Sequence, residues 1–284
     1  MKKNYENSLR EIIKEYNLKP KKKLGQNFLH DKNIISSIVN KANIEDEDII
    51  EIGPGPGILT ESILNNKARS LLAIEKDDSF ELNLKKIRSN YRDNFDYLIN
   101  DIIDFDFKKL TKKNYKFVSN LPYNISVPFI LKMIRIRNII PWKEMILMVQ
   151  KEVAERITAK INTKNYGRLS IIVNLNNDVK KLLNVKPSSF IPRPKVDSTV
   201  IKISPKNEDI NINIKIFEKI VKTCFSQRRK KVKNNLDQLN INTISLLELS
   251  NIDPDLRAEN IDIEGFIRIS RNYEELIKEN YEDF

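Results

Sequence analysis

Asp48-Ile49-Ile50-Glu51-Ile52-Gly53-Pro54-Gly55-Pro56-Gly57 is the stretch that decides the fold. A short apolar run of strand type ends in a turn holding three glycines, and Leu59 to Asn65 then takes helical spacing. A strand, a glycine turn and a helix in this order make the first unit of a mostly parallel α/β sheet. Glycine lets the backbone turn tightly and lets a ligand come close to it. The spacing is Gly-x-Gly-x-Gly, so the third glycine is displaced from its place in the Gly-x-Gly-x-x-Gly of dinucleotide folds.

The same alternation continues along the chain. Ser70 to Ile74, Phe95 to Ile99, Tyr115 to Ser119 and Glu144 to Gln150 read as strands, with helices predicted over Asp78 to Ser89 and Pro128 to Ile136. Val179 to Val185 and Thr199 to Ile203 read as a hairpin at one sheet edge, on either side of a proline-containing loop. After Pro205 the strand pattern stops. Ile214 to Leu239 is predicted as one helix with Phe217, Ile220, Val221 and Cys224 on its apolar stripe. Shorter helices are predicted over Thr243 to Leu249 and Asp262 to Asn272, with Asp262 as an N-cap and another start at Asp253-Pro254. The expected organisation is a sheet domain over residues 1–205, with helices on both faces and an N-terminal helical segment at 1–42, followed by a small all-helical domain at 206–284.

Composition removes several classes of chemistry. Cys224 is the only cysteine and His30 the only histidine, which excludes a disulfide framework, zinc clusters of Cys and His, and Ser-His-Asp or Cys-His triads. No metal is expected. A formal net charge of +11 favours a polyanionic partner, with nucleic acid first. The segment Met1 to Arg10 is charged, and no apolar run approaches the roughly 20 residues that span a bilayer. The expectation is a soluble cytoplasmic protein with no membrane partner.

Two groups of residues carry chemistry. Glu75 ends the second strand 22 residues after Gly53, where a carboxylate accepts hydrogen bonds from both ribose hydroxyls, and Asp101 follows the third strand, placed to accept from an adenine amine. With Gly53 and Gly55 they suit a nucleoside cofactor without phosphates, and S-adenosylmethionine is such a molecule. Asn120-Leu121-Pro122-Tyr123 follows the fourth strand. An amide oxygen and a backbone carbonyl beside a proline can both accept from an exocyclic base amine, turning its lone pair out of the ring towards an electrophile, and an aromatic ring can stack on the base. That set suits methyl transfer to an amino group.

In this order the motifs resemble the small-subunit ribosomal RNA adenine N6,N6-dimethyltransferases. The likeness runs from Lys21 to Ile269: Leu24 to Leu29, Glu51 to Gly57, Glu75, Asp101, Asn120 to Tyr123, Phe190 to Ser198, Phe225 to Lys231 and Arg257 to Asn260. It implies a Rossmann-like S-adenosylmethionine-dependent methyltransferase sheet with helices on both faces. It also implies a cofactor site made by Asn27, Leu29, Gly53, Glu75, Asp101 and Asn120, with Glu51 near the methionine end. Phe190 would stack on the base opposite Tyr123. The expected substrate is two adjacent adenines in a hairpin loop of small-subunit rRNA, in an assembling subunit, with S-adenosylhomocysteine as the other product.

Arg228, Arg229, Lys230 and Lys231 are the expected phosphate contacts, with Lys19, Lys21, Lys22 and Lys23 as further candidates. Nothing in the sequence calls for an obligate partner chain, and a monomer is expected. Two alternatives stay open: an assembly factor that binds RNA with little turnover, and a large-subunit rRNA adenine methyltransferase of the macrolide-resistance type.

Overall fold

The computed structural model describes residues 9–110, 114–207 and 210–282. In it the Asp48–Ile52 segment is a strand buried at every position, an interior strand of a seven-stranded sheet. The strands are β1 (Phe28–Leu29), β2 (Asp48–Ile52), β3 (Ser70–Glu75), β4 (Phe95–Ile99), β5 (Tyr115–Asn120), β6 (Trp142–Gln150), β7 (Asn177–Val185), β8 (Phe190–Ile191) and β9 (Ser198–Pro205). The helices are α1 (Leu9–Glu15), α2 (Lys32–Ala42), α3 (Ile58–Asn65), α4 (Glu81–Asn90), α5 (Tyr123–Arg135), α6 (Lys151–Ile157), α7 (Arg168–Asn174), α8 (Ile214–Cys224), α9 (Val232–Leu236), α10 (Thr243–Leu249) and α11 (Ile263–Glu282).

Sheet order is β4-β3-β2-β5-β6-β9-β7. Strands β2 to β6 are parallel to their neighbours, and β9 runs antiparallel to β6. The β9/β7 pair closes one edge, as the hairpin pattern predicted. From β2 the chain first builds outwards to β4 and then returns to add β5 on the opposite side of β2. The order therefore reverses between β2 and β5, and an open parallel sheet binds ligands beyond the carboxyl ends of its strands at such a reversal. The short β1 pairs with β8, Leu29 opposite Phe190, outside the main sheet.

The chain divides into two compact units, residues 1–154 with 179–205, and 155–178 with 206–284. Residues 155–178, assigned from sequence to the sheet domain, pack instead with the helices. Tyr166 and Ile171 of that segment belong to the apolar core formed with Phe217, Cys224, Leu246 and Phe266, and Tyr166 Oη donates to the Ile261 carbonyl at 3.0 Å.

Four helix expectations change. Ile214 to Leu239 is not one helix: α8 stops at Cys224, and α9 begins at Val232. The break is held by buried Asn235, whose Nδ2 donates to the carbonyls of Cys224 at 2.6 Å and Gln227 at 3.2 Å. Helix α5 begins at Tyr123 and takes Pro128 into its second turn, rather than starting at the proline. Asp253-Pro254 opens a turn, with Asp255 N donating to Asp253 Oδ1 at 2.8 Å. The predicted cap at Asp262 is present, since Gly265 N donates to its Oδ1 at 2.7 Å, but the helix it starts runs to Glu282. No helix among the described residues is long and apolar enough to cross a membrane.

One buried ion network braces the sheet at the amino end of β5. Lys116 is 3% exposed, and its Nζ lies 3.2 Å from Glu47, 3.1 Å from Glu144 and 2.7 Å from the Asn43 carbonyl. Lys202 also pairs with Glu144. Lys116→Met leaves Glu144 paired with Lys202 and Glu47 with Lys143 but strips the Ala42 and Asn43 carbonyls of their donor. It should therefore cost about 1–3 kcal/mol of stability, less than a buried pair broken outright. A lowered urea midpoint with an unchanged slope is the expected result.

Candidate active site

The loops after β2, β3, β4 and β5 meet in one cleft of about 1020 Å3, including the open solvent at its mouth, and residues 24–29 close its other side. The cleft brings together Asn27, Leu29, Gly53, Gly55, Glu75, Asp101, Asn120, Leu121, Pro122 and Tyr123. Gly53 and Gly55 sit at φ +64° and +53°, where a side chain is strained. A Cβ at Gly53 would also stand 3.4 Å from Pro122 Cδ. That distance is ordinary contact, so the positive φ rather than the space is what calls for glycine at Gly53.

Glu75 is fixed by two backbone donors, Gly55 N at 3.0 Å and Asp77 N at 2.8 Å. Burial pushes its carboxyl up more than these bonds pull it down. Asp101 accepts from Lys76 Nζ at 2.6 Å and Ile103 N at 2.9 Å. Burial would raise its carboxyl, but those bonds and the charges of Lys76 and Lys132 outweigh it and hold it low. Deeper in, Glu51 accepts from Thr60 Oγ1 at 2.6 Å. Burial pushes the Glu51 carboxyl up to about 8, against the Thr60 bond and with help from the charge of Glu75.

Asn120 ends β5 with its amide in a defined orientation. Its Nδ2 donates to the Asn27 carbonyl at 3.1 Å. A carbonyl only accepts, so the amide nitrogen must face Asn27 and Oδ1 must point the other way. Pro122 precedes the first turn of α5, and its carbonyl already accepts from Ile125 N at 3.1 Å. Tyr123 opens α5, half-buried, with Oη 2.7 Å from Ser198 Oγ. That bond fixes the ring, and burial pushes the phenol up.

The chain is also similar to known proteins. The family described as "Ribosomal RNA adenine dimethylase" matches residues 17–275. The chain belongs to this family. It is 36% identical over 266 residues to Ribosomal RNA small subunit methyltransferase A of Rhodopseudomonas palustris (strain BisA53), covering 93% of each chain. It is 39% identical over 255 residues to the protein of that name in Ehrlichia chaffeensis, covering 89% of this chain and 96% of the other. Among solved structures, a dimethyladenosine transferase from Plasmodium falciparum superposes with a TM-score of 0.76 at 29% identity, covering 87% of this chain and 98% of that one. The 23S rRNA methyltransferase ErmE shares the fold, with a TM-score of 0.64 at 21% identity and coverage of 87% and 100%.

Two further groups of expected residues lie outside the cleft lining. Phe190 is not among the lining residues: it is 3% exposed and packed in the sheet unit's core. Its pairing with Leu29 places its strand next to the cleft wall. In the helical unit, Arg228 and Lys231 serve that unit's own architecture. Arg228 Nε binds Glu259 at 2.8 Å, and Lys231 Nζ binds Asp255 at 3.0 Å. Arg229 and Lys230 are exposed and enter no ion pair among the described residues.

Two further side chains support the cleft and were not singled out from sequence. Asp77 ties Lys21 and Gln26 to the end of β3, with Lys21 Nζ at 2.6 Å and Gln26 Nε2 at 2.7 Å. Lys132 of α5 donates to the carbonyls of Ile102, Ile103 and Phe105 at 3.2, 2.6 and 2.9 Å, shaping the loop that carries Asp101. Neither partner set has a sequence signal, because each spans more than 20 positions. Lys21, one of the further candidates for nucleic-acid contact, pairs with Asp77 while its side chain stays 49% exposed.

Glu51 gives a pH test. Its carboxyl is raised in the folded state from 4.5 to about 8, so the folded protein holds a proton that the unfolded chain releases. Its contribution to stability is full below pH 4.5 and is lost as pH rises through about 8. Glu51→Gln removes this proton, so its melting temperature should fall less than the wild type's between those two pH values. Parallel melting curves for the two proteins would contradict the assignment.

Proposed function

We propose that this chain transfers methyl groups from S-adenosylmethionine to the exocyclic amines of two adjacent adenines in a hairpin loop of small-subunit rRNA, each amine twice, during assembly of that subunit. The observation that carries the reading is the fixed Asn120 amide, with Oδ1 turned away from Asn27, at the mouth of a glycine-walled cleft.

The lining residues fit the cofactor. Glu51, Glu75 and Asp101 are acids, and Lys76 is the single cation among the described lining residues, itself paired with Asp101. An acid-lined wall disfavours phosphates and suits a molecule carrying an ammonium and a sulfonium. Glu75 accepts from the ribose hydroxyls, Asp101 from the adenine amine, and Asn27, Leu29, Gly53 and Gly55 shape the walls. When bound, S-adenosylmethionine supplies an electrophilic methyl group and leaves as S-adenosylhomocysteine.

Asn120 Oδ1 and the Leu121 carbonyl hold the target amine. Of the two carbonyls beside the proline, Leu121 is the better acceptor, because that of Pro122 is taken by Ile125 N. Two acceptors at about 3 Å hold the nitrogen lone pair out of the base plane for in-line attack. Tyr123, pinned to Ser198, offers its ring to the base. The methylated nitrogen is strongly acidic while cationic and loses its proton to water, so no histidine or other base is needed. Loop adenines are largely unstacked already, which lowers the cost of extraction. Phe190, whose strand pairs with the cleft residue Leu29, would stack on the base opposite Tyr123. We assign Arg229 and Lys230 to RNA phosphates and place Arg228 and Lys231 behind them as supports. The protein acts as a monomer in the cytoplasm.

Asn120→Ala should lower methyl transfer by about 10²-fold or more while sparing RNA affinity. A normal rate in that variant would remove Asn120 from the chemistry. Arg229→Ala with Lys230→Ala should weaken RNA binding and flatten its log–log salt dependence by roughly 0.7 for each phosphate no longer neutralised. An unchanged slope would place the RNA elsewhere.

A further inference from the structure

The Asp77 carboxylate uses both oxygens on elements distant in sequence. Its side chain is fully buried. Oδ1 accepts from Lys21 Nζ at 2.6 Å, Ser79 N at 3.1 Å and Ser79 Oγ at 2.6 Å, and Oδ2 accepts from Gln26 Nε2 at 2.7 Å. Gln26 is held at its other end as well, because its Oε1 accepts from Lys21 N at 2.7 Å. The next residue is Asn27, whose carbonyl orients the Asn120 amide. On the opposite side, Asp77 N donates to Glu75 Oε1 at 2.8 Å. One residue therefore connects the carboxylate assigned to the ribose with the segment that orients the amide assigned to the target amine.

We propose that Asp77 is a positioning residue for methyl transfer: through Gln26 it sets the Asn27 carbonyl, and through that carbonyl it sets Asn120 Oδ1. The inference rests on the reading of Asn120 given above. Asp77 touches neither base nor cofactor in this account. Because Gln26 is bonded through both ends of its amide, it has one satisfactory orientation. A donor placed at position 77 would force the amide to flip and break the bond from Lys21 N, releasing the turn that ends at Asn27. The amine-holding geometry tolerates little displacement, since an error of about 1 Å in a reacting group can cost 10²-fold in rate.

The test exchanges the two partners in the full-length enzyme. Asp77→Asn sets two amides against each other, and Gln26→Glu sets two carboxylates against each other. The double variant restores one hydrogen bond with donor and acceptor reversed, because Asn at 77 donates to Glu at 26 while its Oδ1 still accepts from Ser79 and Lys21. Each single variant should lower kcat about tenfold, with KM for the RNA unchanged and the affinity for S-adenosylhomocysteine reduced. The double variant should return kcat to within about twofold of wild type. A merely structural role would lower melting temperature and active fraction without this pattern of loss and rescue.

Wild-type kcat in both single variants, beside an inactive Asn120→Ala, overturns the positioning role and leaves the parent reading standing. A double variant no faster than the singles also overturns it. Full activity in Asn120→Ala overturns the parent reading and this inference with it. Should Asp77→Asn fail to fold, Gln26→Ala carries the same expectation from the less buried side of the contact, and a wild-type kcat there overturns the proposal.

Discussion

The reversal of strand order between β2 and β5 is the constraint on which the rest of the structure depends. Parallel strands deliver all their following loops to one end of the sheet. At the reversal, neighbouring loops lead away to opposite sides and leave a crevice between them. Gly53 at positive φ lets the chain turn sharply out of β2 into that crevice. The ends of β3 and β4 supply Glu75 and Asp101 along one wall, and the end of β5 supplies Asn120 on the other. Gly53, Glu75, Asp101 and Asn120 become neighbours through topology alone, although 67 positions separate Gly53 from Asn120.

Electrostatics divides labour within the cleft. Glu51 and Glu75 are both buried and both pushed up, Glu51 to about 8, while Asp101 is held low by Lys76. A wall of carboxyls that are costly to ionise gains most when a cationic ligand arrives to pair with them. The basic character of the chain resides elsewhere: Arg229 and Lys230 stand exposed in the helical unit. A protein of net charge +11 can thus attract a polyanion overall and still keep an acidic cofactor cleft.

The sheet and the cleft were largely legible in the sequence. Short apolar runs ending in Gly53, Glu75, Asp101 and Asn120 gave both the strands and the residues at their carboxyl ends, because a parallel strand directs its next residues towards the binding edge. The break in Ile214 to Leu239 was not legible. Gln, Arg and Lys are good helix formers, and the turn at Gln227 to Lys231 exists because the Asn235 amide captures the carbonyls of Cys224 and Gln227. The membership of residues 155–178 in the helical unit was hidden for a related reason: Tyr166 and Ile171 find their apolar partners on α8 and α11, far along the chain. Phe190 reads as a stacking residue from motif likeness and as core from its burial, and only its environment separates the two. Asp77 stood two positions from a residue singled out by spacing, yet its importance lies in bonds to Lys21 and Gln26 that no local pattern encodes.

The most direct measurement of the central claim is to incubate the protein with labelled S-adenosylmethionine and small ribosomal subunits that lack the modification, then digest the rRNA and identify the labelled nucleosides. The account predicts N6,N6-dimethyladenosine at two adjacent positions of the small-subunit RNA. Label in another nucleoside, or no incorporation by a protein that binds both S-adenosylhomocysteine and the subunit, would contradict it.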